Sequence, residues 1–307
     1  EQHQASRFIV RPLRLLACCL ISDGGVCLIV TSRERAKDLR QKPVLIAGMG
    51  QGYTTRHLEN PEWWYVPHQK AALADAFPET PIMLDHVGGP LGIGPYAGRR
   101  DEVFLVSKVY PHNASVEGMR KACAASLKRL KTDRLDLYLL HWAGGVPLVE
   151  TVEAFQRLQR DGLIRQWGVS NLDGAAIREV WSLSGGRAVQ TNQVLYNLAR
   201  RGIEWDLLPW QRERGIPTMA YSPIEQGRLV RHRGLAGFAK RHGMTPVQAA
   251  LAWLLAQDDI IAIPKTASAQ RLAENLAALA QPLDAAALAE LDGLFPPPAR
   301  AVPLEMI

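Results

Sequence analysis

The chain has 307 residues, 47% of them hydrophobic and 21% charged, with a formal net charge of +6. That is material for one large α/β barrel or two ordinary domains, and the composition is that of a globular protein rather than a disordered or fibrous one. Nine of the 36 basic residues are Lys and the rest Arg; they are scattered, with no aromatic-interleaved patch, so nucleic acid is not the expected partner and an anionic small ligand is.

No window carries the roughly 18 unbroken apolar residues of a membrane span. Leu15 to Val30 comes closest and is broken by Ser22-Asp23-Gly24-Gly25, a tight turn in which glycine supplies positive φ. No basic-then-apolar leader opens the chain at Glu1. The cysteines are Cys18, Cys19, Cys27 and Cys123, and none are spaced C-x-x-C. A zinc site, any other metal centre and a disulfide scaffold are therefore not expected, and a reducing cytoplasm is.

In chain order, the first hundred residues hold strand-like runs at GVCLIVT (25–31), VLIAGMG (44–50) and PIMLDH (81–86), with the helix candidate SRERAKDLR between the first two. Glycine clusters and NPEWWYVPHQ (60–69) interrupt any alternation there. Gly48-Met49-Gly50-Gln51-Gly52 follows a strand but lacks the G-x-G-x-x-G spacing of a dinucleotide loop. From residue 102 the texture becomes regular. Strands are expected at VFLVSK (103–108), LDLYLLHW (135–142), IRQWGVSN (164–171), VQTNQVLYN (189–197), PTMAYSP (217–223) and IIAIPK (260–265). Helices are expected at 115–130, 148–161, 173–183, 203–214, 245–257 and 268–280. Six strand–helix units at this spacing imply parallel strands. A closed (β/α)8 barrel needs eight, so two must come from the first hundred residues or be missing.

Barrel chemistry sits where strands end at the C-terminal mouth. Lys108, His141, Ser170, Asn171, Gln193, Tyr221, Ser222 and Lys265 all fall at or near such ends. The run IIAIPKTASAQRLAEN (260–275) is the most informative. Lys265 and Thr266 follow a strand, Ser268 is placed to cap a helix, and Arg271, Glu274 and Asn275 lie on that helix. Free N–H groups at a helix start favour a phosphate; Lys265 would add a point charge and Arg271 a bidentate fork. The plainer reading is a solvated helix start with surface charges. His141, after the apolar LYLL, could donate a hydrogen bond to a substrate carbonyl or be a core histidine bonded to backbone.

The ordered set EVFLVSKV, DRLDLYLLHW, GLIRQWGVSN, TNQVLYN, GIPTMAYSPI and IPKTASAQRLAEN resembles the aldo-keto reductases over residues 101–307. The resemblance implies a TIM-type α/β barrel lacking its first two strands, NADPH as cofactor and a small carbonyl compound as substrate. It implies that Ser170, Asn171 and Gln193 hold the nicotinamide carboxamide, Tyr221 stacks on the ring and Ser222 meets the pyrophosphate. Lys265, Thr266 and Arg271 would take the 2′-phosphate, with Glu274 and Asn275 on the adenine side. Lys108 and His141 match two of the family's four catalytic positions. The others, an aspartate and a proton-donating tyrosine a few residues apart, are not found upstream of Lys108. Asp85 and Tyr96, 11 residues apart, are too widely spaced to replace them.

Residues 1–75 resemble part of a thiolase of the lipid-transfer-associated kind, without its cysteine and Gly-His motifs. PIMLDHVGGPLGIGPYAGRRDEVF (81–104) resembles an amidohydrolase, in which His86 would be a site residue. The chain therefore divides into a thiolase-like segment (1–78), an amidohydrolase-like connection (79–100) and a reductase portion (101–307). It reads as a composite joined near AGRRDEVF, with a second join in 70–80. Three functions follow in order: weak NADPH-dependent carbonyl reduction, NADP(H) binding without turnover by a partly folded composite, and acyl-CoA chemistry from the first segment.

Overall fold

The computed structural model describes residues 103–307 except 267. Upstream of these it describes the backbone of five strands, β1 (Phe8–Val10), β2 (Leu13–Arg14), β3 (Val26–Ile29), β4 (Ile46–Ala47) and β5 (Ile82–Asp85). Tyr96, His86, both proposed joins and the rest of the thiolase-like and amidohydrolase-like segments lie outside the described residues.

Six parallel strands carry the reductase portion: β6 (Val103–Val109), β7 (Leu135–Leu140), β8 (Ile164–Ser170), β9 (Asn192–Leu195), β10 (Thr218–Tyr221) and β11 (Ile260–Ala262). Neighbours pair in sequence order from β6 to β11, with Lys108 opposite Leu139, Ser170 opposite Gln193 and Tyr221 opposite Leu195. All six expected strands form; β6 runs one residue beyond its expected end, and the other five are shorter than their runs because polar residues at their ends have left the ladder.

The ring is closed by upstream strands. β5 pairs parallel to β6, with Leu84 opposite Leu105, and β4 pairs with β11 through Ile46 and Ala262. Between them β3 runs antiparallel to both. Among the described residues the barrel thus has nine strands, with β3 reversed, where a (β/α)8 barrel has eight parallel ones. Each of the three early strand-like runs supplies one strand, so the two edges of the six-strand sheet are paired.

Alternation along each strand sorts the core into two layers. Val106, Leu137, Leu139, Met219, Ile261 and Ile263 fill the barrel interior, with Phe104 and Tyr221 packed against them. Leu105, Tyr138, Leu140, Trp167 and Val194 point outward to the helices. Those helices are α1 (Val116–Leu130), α2 (Leu148–Arg160), α3 (Gly174–Ser182), α4 (Leu207–Arg212), α5 (Arg233–Arg241), α6 (Pro246–Leu255), α7 (Ala269–Ala277) and α8 (Ala285–Leu294). Starts are fixed by side-chain caps. Ser115, Asp173 and Asp284 accept from N–H groups of the first turn, and Thr245 with Gln248 forms a reciprocal capping box just before Pro246. The helix expected at 203–214 is split into a 3-10 turn and the short α4, since Pro209 sits inside it. Two helices were not expected. α5 is short, and its apolar stripe of Leu235, Phe238 and Ala239 stands among Gly234, Gly237 and basic residues; α8 is mostly Ala and Leu and shows no clear apolar stripe in the sequence.

Candidate active site at the barrel mouth

β6 places its inward residues by alternation. Phe104 and Val106 face the barrel interior, and Lys108 is the next on that face, half-buried near the mouth. Its ammonium donates to Gln193 Oε1 from β9. Gln193 is 1% exposed, so this charge-assisted bond forms in a poorly solvated place, where such bonds are strong. The carbonyl of Gln193 accepts both the Ser170 hydroxyl at 2.8 Å and the backbone N–H of Asn171 at 2.9 Å.

Asn171 adopts a left-handed backbone, φ 56°, a conformation that asparagine tolerates better than most side chains. That turn aims its amide back at the site. Nδ2 donates to the His141 carbonyl at 3.2 Å and to Ser170 Oγ at 3.3 Å. Its Oδ1 is buried and, among the described residues, has no hydrogen-bond partner. A buried acceptor without a partner is costly.

His141 stands one residue beyond β7. Its N–H donates to the Val109 carbonyl at 2.9 Å. Its ring stacks on Tyr110, centroids 5.4 Å apart and 25° between planes, and lies against Trp142 at 4.6 Å. Tyr110 follows Lys108 by two residues in extended backbone, is half-exposed, and also stacks on His112 at 5.6 Å. Lys108, Gln193, Ser170, Asn171 and His141 thus form one connected network. The sequence reading missed its aromatic edge, Tyr110 and Trp142. The two-residue offset from Lys108 was the signal for Tyr110.

Tyr221 ends β10 beside this network, partly buried against the inner core. Burial pushes its phenol up to about 12; the backbone N–H of Ile307, which donates to the hydroxyl, acts in the opposite direction. The hydroxyl is therefore neutral at ordinary pH. Ser222 follows with φ 50°, and its carbonyl accepts from Asn197 Nδ2 at 2.9 Å.

The remaining candidates form a second group around the start of α7. Thr266 Oγ1 accepts from the backbone N–H of Ser268 at 3.1 Å, and Ser268 Oγ from that of Arg271 at 3.4 Å. Lys265 and Arg271 are exposed. Glu274 is half-buried, its carbonyl accepting from Gln248, and Asn275 is 5% exposed. The strand end, capped helix start and two cations expected from the sequence are all present. A cavity of about 310 Å³, lined by none of these candidate residues, lies between the start of α3, residues 200–207 and residues 302–305.

A model of the aldo/keto reductase family matches residues 91–295. The chain belongs to the aldo/keto reductase family. The match begins ten residues upstream of residue 101 and takes in all six parallel strands of the reductase. The chain is 47% identical over 215 residues to methylglyoxal reductase YeaE of Escherichia coli, which covers 68% of this chain and 76% of that protein. It is 33% identical over 194 residues to glyoxal reductase of Bacillus subtilis, 63% of this chain and 69% of that one. Among solved structures it is similar to an aldo-keto reductase from Klebsiella pneumoniae in complex with NADPH. The two share 42% identity at a TM-score of 0.77, over 85% of this chain and 94% of that one. A further Klebsiella pneumoniae aldo/keto reductase structure, at 42% identity and TM-score 0.76, is in complex with NADP and acetate. The reductase is an oxidoreductase by descent. Among the described residues, no helix is long and apolar enough to cross a membrane.

Proposed function

We propose that the chain binds NADPH across the barrel mouth and reduces small aldehydes and ketones, 2-oxoaldehydes foremost. The observation that carries this is the buried, unpartnered Oδ1 of Asn171 within the Lys108–Gln193–Ser170–Asn171–His141 network. A carboxamide has two N–H donors and a carbonyl acceptor, which suits that oxygen together with Ser170 and Gln193. Tyr221 offers a neutral aromatic face for the nicotinamide, and Ser222 a hydroxyl for the pyrophosphate. Lys265, Thr266 and Arg271, with Glu274 and Asn275 beside them, suit the phosphorylated adenosine end. The names of the E. coli and B. subtilis relatives point to 2-oxoaldehydes, and the NADPH complex of the Klebsiella relative supports the cofactor.

When bound, the cofactor supplies a hydride to the carbonyl carbon. His141, held by its backbone and its two ring neighbours, orients the carbonyl oxygen. Lys108 places positive charge where negative charge develops on that oxygen. The sequence upstream of Lys108 lacks the family's closely spaced aspartate and tyrosine, so the proton arrives without that positioned phenol. Turnover is then lower by about 10²–10⁴ than in a relative that has both.

A second reading, NADP(H) binding without turnover, is favoured by the same missing pair. The three-part division at 1–78, 79–100 and 101–307 belongs to this proposal, as does a reducing cytoplasmic location. Acyl-CoA chemistry from the first segment ranks last, for want of that family's motifs. Titrating NADPH by its fluorescence and then adding methylglyoxal, glyoxal and a panel of aldehydes and ketones separates these readings. Binding with slow oxidation of NADPH is the expected result. Binding with no oxidation supports the second reading, and absence of binding overturns both.

A further inference from the structure

Arg200 follows β9 in the chain and makes two ion pairs with partners far apart in sequence. Its Nη2 meets Glu225 Oε1 at 2.9 Å and its Nε donates to the same oxygen at 3.0 Å. Its Nη1 meets Glu305 Oε1 at 2.5 Å. Glu225 is 4% exposed and lies in the loop that continues from Tyr221 and Ser222. That loop is unusual: Ser222, Glu225 and Gln226 all have left-handed backbones, φ 50°, 49° and 52°. Such conformations persist only where surroundings over-determine them. Asn197 Nδ2 donates to both the Ser222 carbonyl and Glu225 Oε2, so Asn197 and Arg200 together hold the loop from below.

Glu305 lies in the C-terminal segment that runs over the same place. Two residues on, the backbone N–H of Ile307 reaches the Tyr221 hydroxyl. Val302, Leu304 and Glu305 also wall one side of the 310 Å³ cavity, with Arg200 on its lining. One guanidinium therefore joins the loop that follows Tyr221 and Ser222 to the C-terminal segment that touches Tyr221. A rigid planar fork with five N–H donors fixes two carboxylates relative to each other more firmly than a flexible ammonium does.

We infer that Arg200 is a positioning residue that couples cofactor occupancy to docking of residues 302–307 over the barrel mouth. This rests on the proposed reading of Tyr221 and Ser222 as cofactor contacts. A cofactor that orders the loop at Tyr221 and Ser222 steadies Glu225, hence Arg200, hence Glu305. By linkage the docked segment tightens cofactor binding by the same factor.

The test uses the full chain and NADPH as the probe. NADPH binding is measured by fluorescence, and amide hydrogen exchange of peptides covering residues 300–307 is followed with and without saturating NADPH. In the wild type, NADPH should slow exchange of that segment by roughly fivefold or more. Arg200→Met should lose the effect but leaves the buried Glu225 with only the longer 3.6 Å pair to Arg228, which threatens the fold. Glu305→Gln is the second variant, since Glu305 is the more exposed partner. It should keep its thermal midpoint, lose the NADPH-dependent protection, and bind NADPH more weakly by the factor lost in protection. A purely structural ion pair would change stability alike with and without NADPH and leave the protection ratio intact. Bound NADPH with no change in segment exchange in the wild type overturns the inference, as does full protection in Glu305→Gln. A wild-type chain that fails to bind NADPH in the titration overturns the proposed function, and this inference with it.

Discussion

Arg271 and Arg200 show what a single arginine can and cannot disclose from sequence. Arg271 sits one turn into a helix that follows a strand, after a capping serine, a place that suits either an anion or solvent, and the phosphate role proposed for it comes from the family resemblance. Its exposed side chain is then free to meet a 2′-phosphate. Hydrogen bonds to charged groups contribute about 1.5–3 kcal/mol. Arg271→Ala should accordingly raise the NADPH dissociation constant by roughly tenfold to a hundredfold and leave NADH binding unchanged. Titrations with the two cofactors side by side check this, and an equal loss for both would remove Arg271 from phosphate recognition. Arg200, in contrast, has partners 25 and 105 residues away, and no local pattern announces them. The same holds for the bond between Lys108 and Gln193, 85 residues apart. Each strand-end residue was legible one at a time; their joining into a network depends on which strands are neighbours.

Elements were legible where one period dominated. β7 is buried throughout, and its run LDLYLL, apolar but for Asp136, reads as a strand of matching length. α2 buries Leu148, Thr151, Val152, Phe155 and Leu158, a helical stripe visible in the sequence. α5 went unseen although Leu235, Phe238 and Ala239 mark a helical stripe, because it is short and carries two glycines; α8 went unseen because its Ala and Leu residues form no stripe. The antiparallel β3 was visible as a strand, but its direction was not, because periodicity carries no sense of direction. Within β8, Gly168 has a physical reason to be glycine. A Cβ there would lie 2.8 Å from the Thr191 carbonyl oxygen and 2.8 Å from a Leu139 methyl. Backbone cannot give way cheaply, so Gly168→Ala should push β8 from β9. It should destabilise by about 1–3 kcal/mol and disturb Ser170 and Gln193, which pair across those strands. Urea unfolding should show the loss, and NADPH affinity should fall with it. The start of α6 offers a milder case. Thr245→Ala removes one arm of the capping box and should cost about 1 kcal/mol without altering NADPH affinity, since α6 holds none of the site residues.

At the scale of the whole molecule, the reductase portion buries several weak acids in their neutral forms, and this sets its response to alkali. Burial pushes the thiol of Cys123 up to about 12 and the phenol of Tyr221 to about 12. Burial also raises Tyr138 and Tyr196, the latter further held protonated by Glu204 beside it. In the unfolded chain a thiol ionises near 8.5 and a phenol near 10. Each folded pKa lies above its unfolded value, so each contribution is intact below the unfolded value and declines as pH rises towards the folded one. The fold should hold its stability to about pH 8.5 and then lose it progressively, first through Cys123 and then, above pH 10, through the tyrosines. One fully coupled group contributes up to about 1.4 kcal/mol per pH unit. Cys123→Ala isolates the first of these steps. The variant starts lower at pH 7, because a buried side chain has been truncated, but its stability should fall less between pH 8.5 and 10, by roughly 1 kcal/mol. Urea midpoints measured across pH 7–10 for both chains give the two curves. Parallel curves would mean that the Cys123 thiol reaches solvent in the folded chain, contrary to its complete burial on the inner face of α1.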